Sequence, residues 1–124
     1  MAGTLTISTL SDGTNSTSST NCIQGSAKAW VNFNGSSGAI RTSYNVSSVT
    51  RTGTGDYTVN FTSAFADANY SILAVGSMGA GYSEPRIMGN TTTSPTTTSC
   101  RLLAYNLTGG SVFDPVIACA AFFR

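Results

Sequence analysis

The sequence predicts an all-β fold: an antiparallel, jelly-roll-like β-sandwich of about eight short strands. Apolar and polar residues alternate with a period of two along several short runs, as they do in strands that bury one face. Turn-forming residues, mainly Gly, Asn and Asp, separate these runs at short intervals. No apolar pattern with the 3.6-residue period of a helix continues over two turns. Together these observations predict a β-sandwich.

The clearest alternation lies between residues 28 and 61. Its first run places Val31 and Phe33 on one face and Trp30 on the other, as expected of a strand with one buried face. The run at 57–62 repeats the pattern. On the same grounds, strands are predicted at 27–33, 39–46, 48–52, 57–62, 70–76, 85–89, 99–107 and 112–123.

One register follows from the requirement that apolar residues of neighbouring strands share the buried face. Val49 and Val59 meet this requirement if they lie opposite each other. Such pairing needs a loop with an odd number of residues, because a two-residue loop would turn Val59 to the wrong face. Gly53-Thr54-Gly55 supplies three residues, with a Gly for the left-handed position of the loop.

The chain divides into two parts of different composition. Residues 11–21 are almost entirely Ser, Thr, Asn, Asp and Gly, which cannot bury enough apolar surface to fold alone. We therefore predict an extended N-terminal arm for docking or assembly at 1–26, and a β-sandwich head at 27–124.

Two apolar stretches are candidates for contacts with other subunits. The first, residues 4–10, is expected to add a strand to a neighbouring molecule, with a frayed tail as the alternative. The second, residues 116–123, is apolar on both faces, as in a central strand or in one that a partner subunit covers. For so small a domain we expect burial partly at a subunit interface. The candidate assembly contacts are Leu5, Ile7, Leu10, Val116, Ala118, Phe122 and Phe123.

The three cysteines are expected to be free thiols, because an odd number in a reducing compartment does not form a disulfide framework. One alternative stays open. If Gly109-Gly110 forms a two-residue hairpin, Cys100 lies directly opposite Cys119, at a distance that a disulfide could bridge. Pro115 weakens this register, because proline cannot donate a hydrogen bond to the ladder.

Composition excludes several classes of partner. Charged residues make up 9% of the chain, and the six Lys and Arg are scattered singly, so we predict no nucleic-acid partner. Polarity comes from 18 Ser and 19 Thr. The N-terminus lacks the pattern of a signal peptide, and no apolar run approaches the ~18 residues of a membrane span. We therefore expect synthesis in the cytosol and no membrane insertion.

The residues that commonly carry out catalysis are sparse. The chain has no histidine, the commonest general base and metal ligand. Its carboxylates are isolated in sequence and are expected to cap turns, although a glycosidase pair assembled in space is an alternative. We therefore predict no enzymatic activity, no metal and no cofactor. The carboxylates are Asp12, Asp56, Asp67, Glu84 and Asp114.

Five short sequence motifs occur along the chain in a distinctive order. They are Lys28-Ala29-Trp30-Val31-Asn32-Phe33, Ile40-Arg41, Ser43-Tyr44-Asn45-Val46-Ser47-Ser48, Gly53 to Phe61, and Ala66-Asp67-Ala68-Asn69-Tyr70. Together they resemble a small β domain of structural proteins of tailed bacteriophages, often found at the end of tail-fibre-like chains. The resemblance implies a virion-surface protein, assembled in the host cytoplasm as a homotrimer beside other virion proteins. It implies no chemistry.

Two loops and one aromatic residue are candidates for contact with a host-surface glycan. The first loop is 76–86, which combines an aromatic ring with charged side chains, and a purely structural turn is the alternative we favour there. The second loop is 91–99, whose composition indicates an exposed tip. Trp30 lies on the polar face of its strand, where packing under a loop, an arm or a neighbouring subunit is the alternative we favour. The candidate ligand contacts are Tyr82, Glu84, Arg86 and Trp30.

Two functions remain open at this point. In the first, the protein is a tail-fibre-like tip or adhesin that contacts the host surface. In the second, it is a capsid or tail decoration (cement) protein, docked through its N-terminal arm and without a ligand. The resemblance favours the first function. The shortness of the chain favours the second, because a tail adhesin normally needs a stalk.

Overall fold

Two four-stranded antiparallel sheets, packed face to face, form the body of the protein. The computed structural model describes residues 3–77, 85–89, 93, 95–107 and 109–124. Its elements are β1 Thr9–Ser11, β2 Ser16–Ser18, α1 Ser19–Gly25, β3 Ala27–Phe33, β4 Ile40–Tyr44, β5 Val46–Gly53, β6 Asp56–Phe61, β7 Ser71–Gly76, β8 Pro85–Gly89, β9 Ser99–Asn106 and β10 Ala118–Phe123. Sheet 1 has the strand order β4-β3-β10-β7, and Sheet 2 has the order β5-β6-β9-β8.

The predicted all-β sandwich is confirmed. In the described part of the chain, eight strands build the two sheets, the strand number and layering of a jelly roll. The hairpins β3–β4, β5–β6 and β8–β9 each stay within one sheet, and the remaining connections between these strands cross from one sheet to the other. The last strand, β10, therefore lies in the centre of Sheet 1, between the first strand of the sandwich and β7.

The chain passes from Sheet 1 to Sheet 2 at Asn45, a corner that the predicted strand limits miss. Asn45 has a left-handed backbone conformation with a φ of 54°, which Asn adopts more readily than most residues. Its side-chain amide donates to the carbonyls of Lys28 and Ser63, and the Ser63 amide donates to its Oδ1. These bonds fix the corner, so one strand ends just before Asn45 and the next begins just after it.

The predicted register between β5 and β6 is confirmed. Val49 lies opposite Val59, and both side chains face the other sheet. The loop differs from the prediction: Gly53 ends β5 and pairs with Asp56, so the turn consists of Thr54 and Gly55, with Gly55 left-handed at a φ of 67°. A one-residue register shift between Arg51 and Gly53 supplies the odd residue that keeps Val59 on the buried face. A Cβ at Gly55 would lie 2.4 Å from the carbonyl oxygen of Ala104, so this glycine also permits close approach of two strands.

Side chains from the inner faces of both sheets form one core. Phe33 of Sheet 1 meets Tyr57 of Sheet 2 edge to face, with ring centroids 5.0 Å apart. Phe122 contacts Phe61 in the same way, also at 5.0 Å, an arrangement that aromatic pairs prefer. The other buried hydrophobic residues are Ala29, Val31, Val46, Val59, Phe65, Tyr70, Ile87, Cys100, Leu102, Ala104, Phe113, Ala118 and Ala120.

Asp114 holds the segment between β9 and β10 against Sheet 2. Its carboxylate accepts hydrogen bonds from Arg51 Nη2 at 2.6 Å, the Gly55 amide at 2.8 Å and the Tyr57 hydroxyl at 2.7 Å. Bonds to an ionised acceptor are the stronger kind. The next residue, Pro115, is buried, so the chain is fixed where it crosses from one sheet to the other.

The predicted pairing of Cys100 with Cys119 is wrong. β9 belongs to Sheet 2 and β10 to Sheet 1, so the two thiols lie in different layers. A hairpin does begin, with a bridge between Tyr105 and Val112, but the segment that Asp114 anchors then carries the chain across. All three cysteines are free thiols, which is the expectation that the sequence favoured.

The N-terminal segment, residues 3–26, contains a small hairpin followed by a helix. β1 and β2 pair across a turn in which the Asp12 carboxylate accepts from the amides of Thr14 and Asn15. Ser18 caps α1 by accepting from the Asn21 amide, as an N-cap serine does. Local polar bonds therefore order a stretch that buries little apolar surface.

This segment differs from the prediction in two ways. Strand structure within the predicted 4–10 is confined to the last two residues, which belong to β1. The helix α1 was not predicted, because its seven residues show no apolar period. Throughout the segment the side chains are exposed, apart from half-buried Ser19 and Cys22. The docking role of the arm stays a prediction.

Candidate functional site

The outer face of Sheet 1, the side turned away from the core, is largely apolar. Alternation along each strand sends every second side chain to this side, and the strand register aligns them in two rows. One row crosses the sheet through Tyr44, Trp30, Ala121 and Leu73, and the second through Thr42, Asn32, Cys119 and Val75.

A groove of about 250 Å³ runs along the middle of this face. Its floor is the central strand β10, which contributes the small side chains of Cys119 and Ala121. Trp30 forms one wall, and Leu73 and Val75 form the other. Bulky residues on the two flanking strands and small residues between them produce the concave shape.

Large apolar side chains on this face lie open to solvent. Leu73 is 68% exposed, Val75 62% and Tyr44 59%, and even Trp30 keeps 38% of its surface in contact with water. Single exposed hydrophobic residues are ordinary on protein surfaces, but a contiguous patch usually marks an interaction site. The outer face of Sheet 1 is such a patch.

The cations closest to this face are bound at its rim by backbone carbonyls. Arg41 Nη1 donates to the Phe33 carbonyl and its Nη2 to the Val116 carbonyl, each at 2.8 Å. Lys28 Nζ donates to the carbonyl of Ile23. Arg41 Nη1 also donates to Oδ1 of Asn32 at 3.3 Å, so one cation contacts the second row beside the groove. The row through Tyr44, Trp30, Ala121 and Leu73 contains no charged residue.

A second group of exposed apolar side chains lies in the N-terminal segment. Leu5, Ile7, Leu10 and Ile23, with the half-buried Cys22, line one shallow concavity, and we call these five residues the N-terminal cluster. Leu5 is 81% exposed and Ile23 64%. α1 supplies Cys22 and Ile23, whereas the other members come from β1 and the residues before it.

The carboxylates in the described ranges serve structural roles, as the sequence indicated for those at turns. Asp67 accepts from the Asn69 amide at 2.8 Å and pairs with Arg124, and Asp56 pairs with Arg101. The Arg101 guanidinium holds the pKa of Asp56 below its usual range. Burial raises the pKa of Asp114, but its bonds from Arg51, Gly55 and Tyr57 together lower it further than burial raises it.

Three buried groups have raised pKa values, and burial is the main cause for each: Cys100, Tyr57 and Tyr70. Burial raises the pKa of the Cys100 thiol to about 11, which makes it a poor nucleophile. Burial also raises the pKa of Tyr57, and the hydrogen bond to Asp114 adds to this effect.

Within the described residues, no three His, Cys, Asp or Glu side chains group closely enough to hold a metal ion, and no helix is long and apolar enough to cross a membrane.

Of the predicted ligand contacts, two lie on the described surface. Trp30 is on the outer face of Sheet 1, and Arg86 is exposed on β8, where it pairs with Tyr105 of β9. The described residues place them on different sheets, so they do not form one site. Tyr82 and Glu84 lie outside the described residues, as do 78–84 of the first candidate loop and 91, 92 and 94 of the second.

The predicted assembly contacts divide between core and surface. Ala118 and Phe122 are fully buried, so their prediction as assembly contacts is wrong: they face the core of their own chain because β10 is a central strand. Phe123 is half-buried on the opposite side of β10, and Val116 is 58% exposed. Leu5, Ile7 and Leu10 are exposed members of the N-terminal cluster.

Sequence reasoning missed Tyr44, Leu73 and Val75 as site residues. The signal for two of them was present, since residues 72–75 are all apolar, the same two-faced pattern that singled out residues 116–123. Both strands, β7 and β10, lie side by side in Sheet 1 and expose one apolar face together.

No family model matches the chain, and no curated protein and no solved structure shows significant similarity to it.

Proposed function

We propose that the protein is a structural component of a bacteriophage virion surface, a tail-fibre-like tip module that assembles with further copies of itself. The observation that carries the proposal is the contiguous apolar outer face of Sheet 1. The phage setting comes from the resemblance of the sequences between residues 28 and 70. The homotrimer and the location on the virion surface are parts of the same proposal.

The chemistry of the outer face supports an assembly role. Aromatic residues are enriched and charged residues depleted at the centres of protein interfaces, and the rows through Trp30 and Cys119 have this character. The groove has aromatic and aliphatic walls, which suit the clustered contacts that dominate binding energy. Apolar side chains of a partner would therefore be removed from water on binding in this groove.

Attachment through the N-terminal segment alone, as a decoration protein, is a second candidate. The N-terminal cluster supports it, because it presents exposed apolar side chains on an element outside the sandwich. Contact with a host glycan belongs to the tip function. The exposed rings of Trp30 and Tyr44, neighbours across β3 and β4, offer stacking surfaces for a sugar.

Counting the protein in purified virions tests the proposal. We expect its peptides in particles purified from lysate, in a copy number that is a small multiple of three. Hundreds of copies per particle would replace the tip function with decoration. Absence from the particles, with the protein present in the lysate, would contradict both.

Self-assembly of the full-length chain is the second test. Sedimentation at micromolar concentration is expected to show an oligomer that Leu73→Asp dissociates, because the substitution places a charge on the wall of the groove. Leu107→Asp is the matched control, since Leu107 is also exposed but follows β9 of Sheet 2. Equal behaviour of the two variants would contradict assembly through this face.

A further inference from the structure

Two apolar surfaces are left uncovered by the residues that the structure describes: the outer face of Sheet 1 and the N-terminal cluster. We propose that they bind each other between copies, with the N-terminal cluster of one molecule seated in the groove of the next. This inference rests on the proposed function and names the occupant of its assembly face. The contact is head-to-tail: each copy contributes its N-terminal cluster to one neighbour and its groove to the other.

The shapes of the two surfaces suit this pairing. The strands β3 and β7 flank β10 and are therefore about 9–10 Å apart, which leaves room for a row of apolar side chains between Trp30 and Leu73. A second groove of the same shape would not fill that space. One apolar side chain exposed on a short helix would enter it, and Ile23 of α1, which borders the shallow concavity of the N-terminal cluster and is 64% exposed, is such a side chain.

The charges of the two surfaces also agree. Within residues 3–26 the single charged side chain is Asp12, which lies in the β1–β2 turn and caps Thr14 and Asn15. The groove is lined by uncharged side chains. Contact between the two surfaces would bury apolar groups without burying an unpaired charge. Burial of apolar surface is favourable under this condition.

The exposed area of the chain is larger than that of a typical folded monomer. The structure exposes 7351 Å², whereas a monomer of 12.8 kDa is expected to expose about 6,300 Å². The excess of roughly 1,000 Å² approaches the area that one specific protein–protein contact buries, about 1,200–2,000 Å² in total. A copy that gives and receives one such contact would bring its exposed area into the ordinary range.

Head-to-tail contacts either close into a ring or continue as a filament. In a closed ring, the groove and the N-terminal cluster of every copy are both covered by neighbouring copies. Three is the number that the proposed function expects. The N-terminal segment joins β3 directly at Ser26, so the link between the two surfaces is short, and binding within one chain is the alternative that an experiment must separate.

Complementation between two full-length variants tests the inference. Ile23→Asp disables the N-terminal cluster, and Leu73→Asp disables the groove. Each variant alone is expected to be monomeric at a concentration where the unsubstituted chain is an oligomer, with the apparent dissociation constant raised about 100-fold or more. An equimolar mixture is expected to form dimers only, because one intact cluster and one intact groove remain. Circular dichroism spectra should match the unsubstituted chain, since both residues are mostly exposed. Melting temperatures should match it at a dilution where the unsubstituted chain is also monomeric.

The cysteines supply an independent readout. Cys22 belongs to the N-terminal cluster and Cys119 to the groove, so a short bismaleimide should link them between neighbouring chains. In the mixture of variants, cross-linked dimers should join Cys22 of the Leu73→Asp chain to Cys119 of the Ile23→Asp chain. Peptide mass spectrometry identifies the linked pair.

Three results would overturn the inference. An oligomer that persists in Ile23→Asp but dissociates in Leu73→Asp would leave the assembly face intact and remove the N-terminal cluster as its occupant. A Cys22–Cys119 link within monomers would show that the segment binds its own chain. A monomeric unsubstituted chain with both thiols freely alkylated would overturn the proposed assembly as well.

Discussion

The two outer faces of the sandwich differ although both sheets bury the same kind of inner face. On Sheet 1 the outward side chains include Trp30, Leu73 and Val75. On β5 and β6 of Sheet 2 they include Thr50, Thr58 and Asn60, and the Asn60 amide donates to hydroxyls of its neighbours on β5. On β8 and β9 they include Met88, Leu103 and Tyr105, so the polar character is confined to the β5–β6 half of that sheet. The inner faces are sufficient to define the fold, so the outer faces are free to differ, and this difference is the basis of the proposed association through Sheet 1.

Charge follows the same division. The pair Asp56–Arg101 lies on the outer face of Sheet 2, and none of its groups belongs to the rows across Sheet 1. The pair Arg51–Asp114 lies at the end of the inner face of Sheet 2, beside buried Tyr57. A face laced with polar bonds and ion pairs remains solvated, and an uncharged apolar face gains by leaving water. The bonds to Asp114 fix the crossing segment on Sheet 2, and association through the outer face of Sheet 1 is the proposal that the predictions below test.

The largest expected effect is a difference in folding stability between substitutions on the inner and outer sides of β10. Phe122→Ala removes a fully buried ring that contacts Phe61 and Tyr70, and we expect a loss of about 3–5 kcal/mol in the free energy of unfolding. Phe123→Ala removes a half-buried ring on the outer side and should cost about 1 kcal/mol. Chemical denaturation of both variants measures the difference. Similar losses would mean that β10 is covered on both sides.

The next effect concerns Asp114 and the charge pairs of Sheet 2. Asp114→Asn weakens the bonds from Arg51, Gly55 and Tyr57, and it should lower the free energy of unfolding by about 1–3 kcal/mol at neutral pH. Because the folded-state pKa of Asp114 is lowered, its contribution is present above the unfolded-state pKa of about 3.9. That contribution disappears as the pH falls through the folded-state value.

Urea denaturation between pH 7 and pH 2 checks this prediction. The difference in stability between the unsubstituted chain and Asp114→Asn should be constant near neutrality and shrink below about pH 4. Asp67→Asn is the control, because Asp67 and Arg124 form an exposed pair and should contribute far less. A difference that is independent of pH would show that the Asp114 network is held by shape and not by charge.

The sequence predicted the strands well because the core imposes a strict alternation on them. The limits of β3 and β8 and the opposition of Val49 and Val59 follow from the side-chain period, although the odd residue that this register needs lies in a bulge of β5 and not in the loop. The corner at Asn45 and the crossing after Val112 did not follow, since they depend on hydrogen bonds to distant residues: Asn45 to Lys28 and Ser63, Asp114 to Arg51 and Tyr57.

The candidate site was only partly predictable for a related reason. Residues 72–75 and 116–123 are apolar on both faces, which indicates that something covers the second face but not which strands share it. That information lies in the strand order, which places β10 between β3 and β7. The polar neighbours of Trp30 along β3 concealed its position, because its apolar neighbours, Ala121 and Tyr44, come from other strands.

The smallest expected effect on folding comes from exchanging the character of the two outer faces. Leu73→Thr makes the Sheet 1 face more like that of Sheet 2, and Thr58→Val does the reverse with nearly equal volume. Both sites lie on strands and accept β-branched residues, so each free energy of unfolding should change by less than about 0.5 kcal/mol. Association should respond differently, with Leu73→Thr weakening it about tenfold and Thr58→Val leaving it unchanged. Sedimentation equilibrium over a range of concentrations measures both dissociation constants. If Thr58→Val strengthened association as much as Leu73→Thr weakened it, apolar area on either face would drive assembly, and the groove of Sheet 1 would not be a specific site.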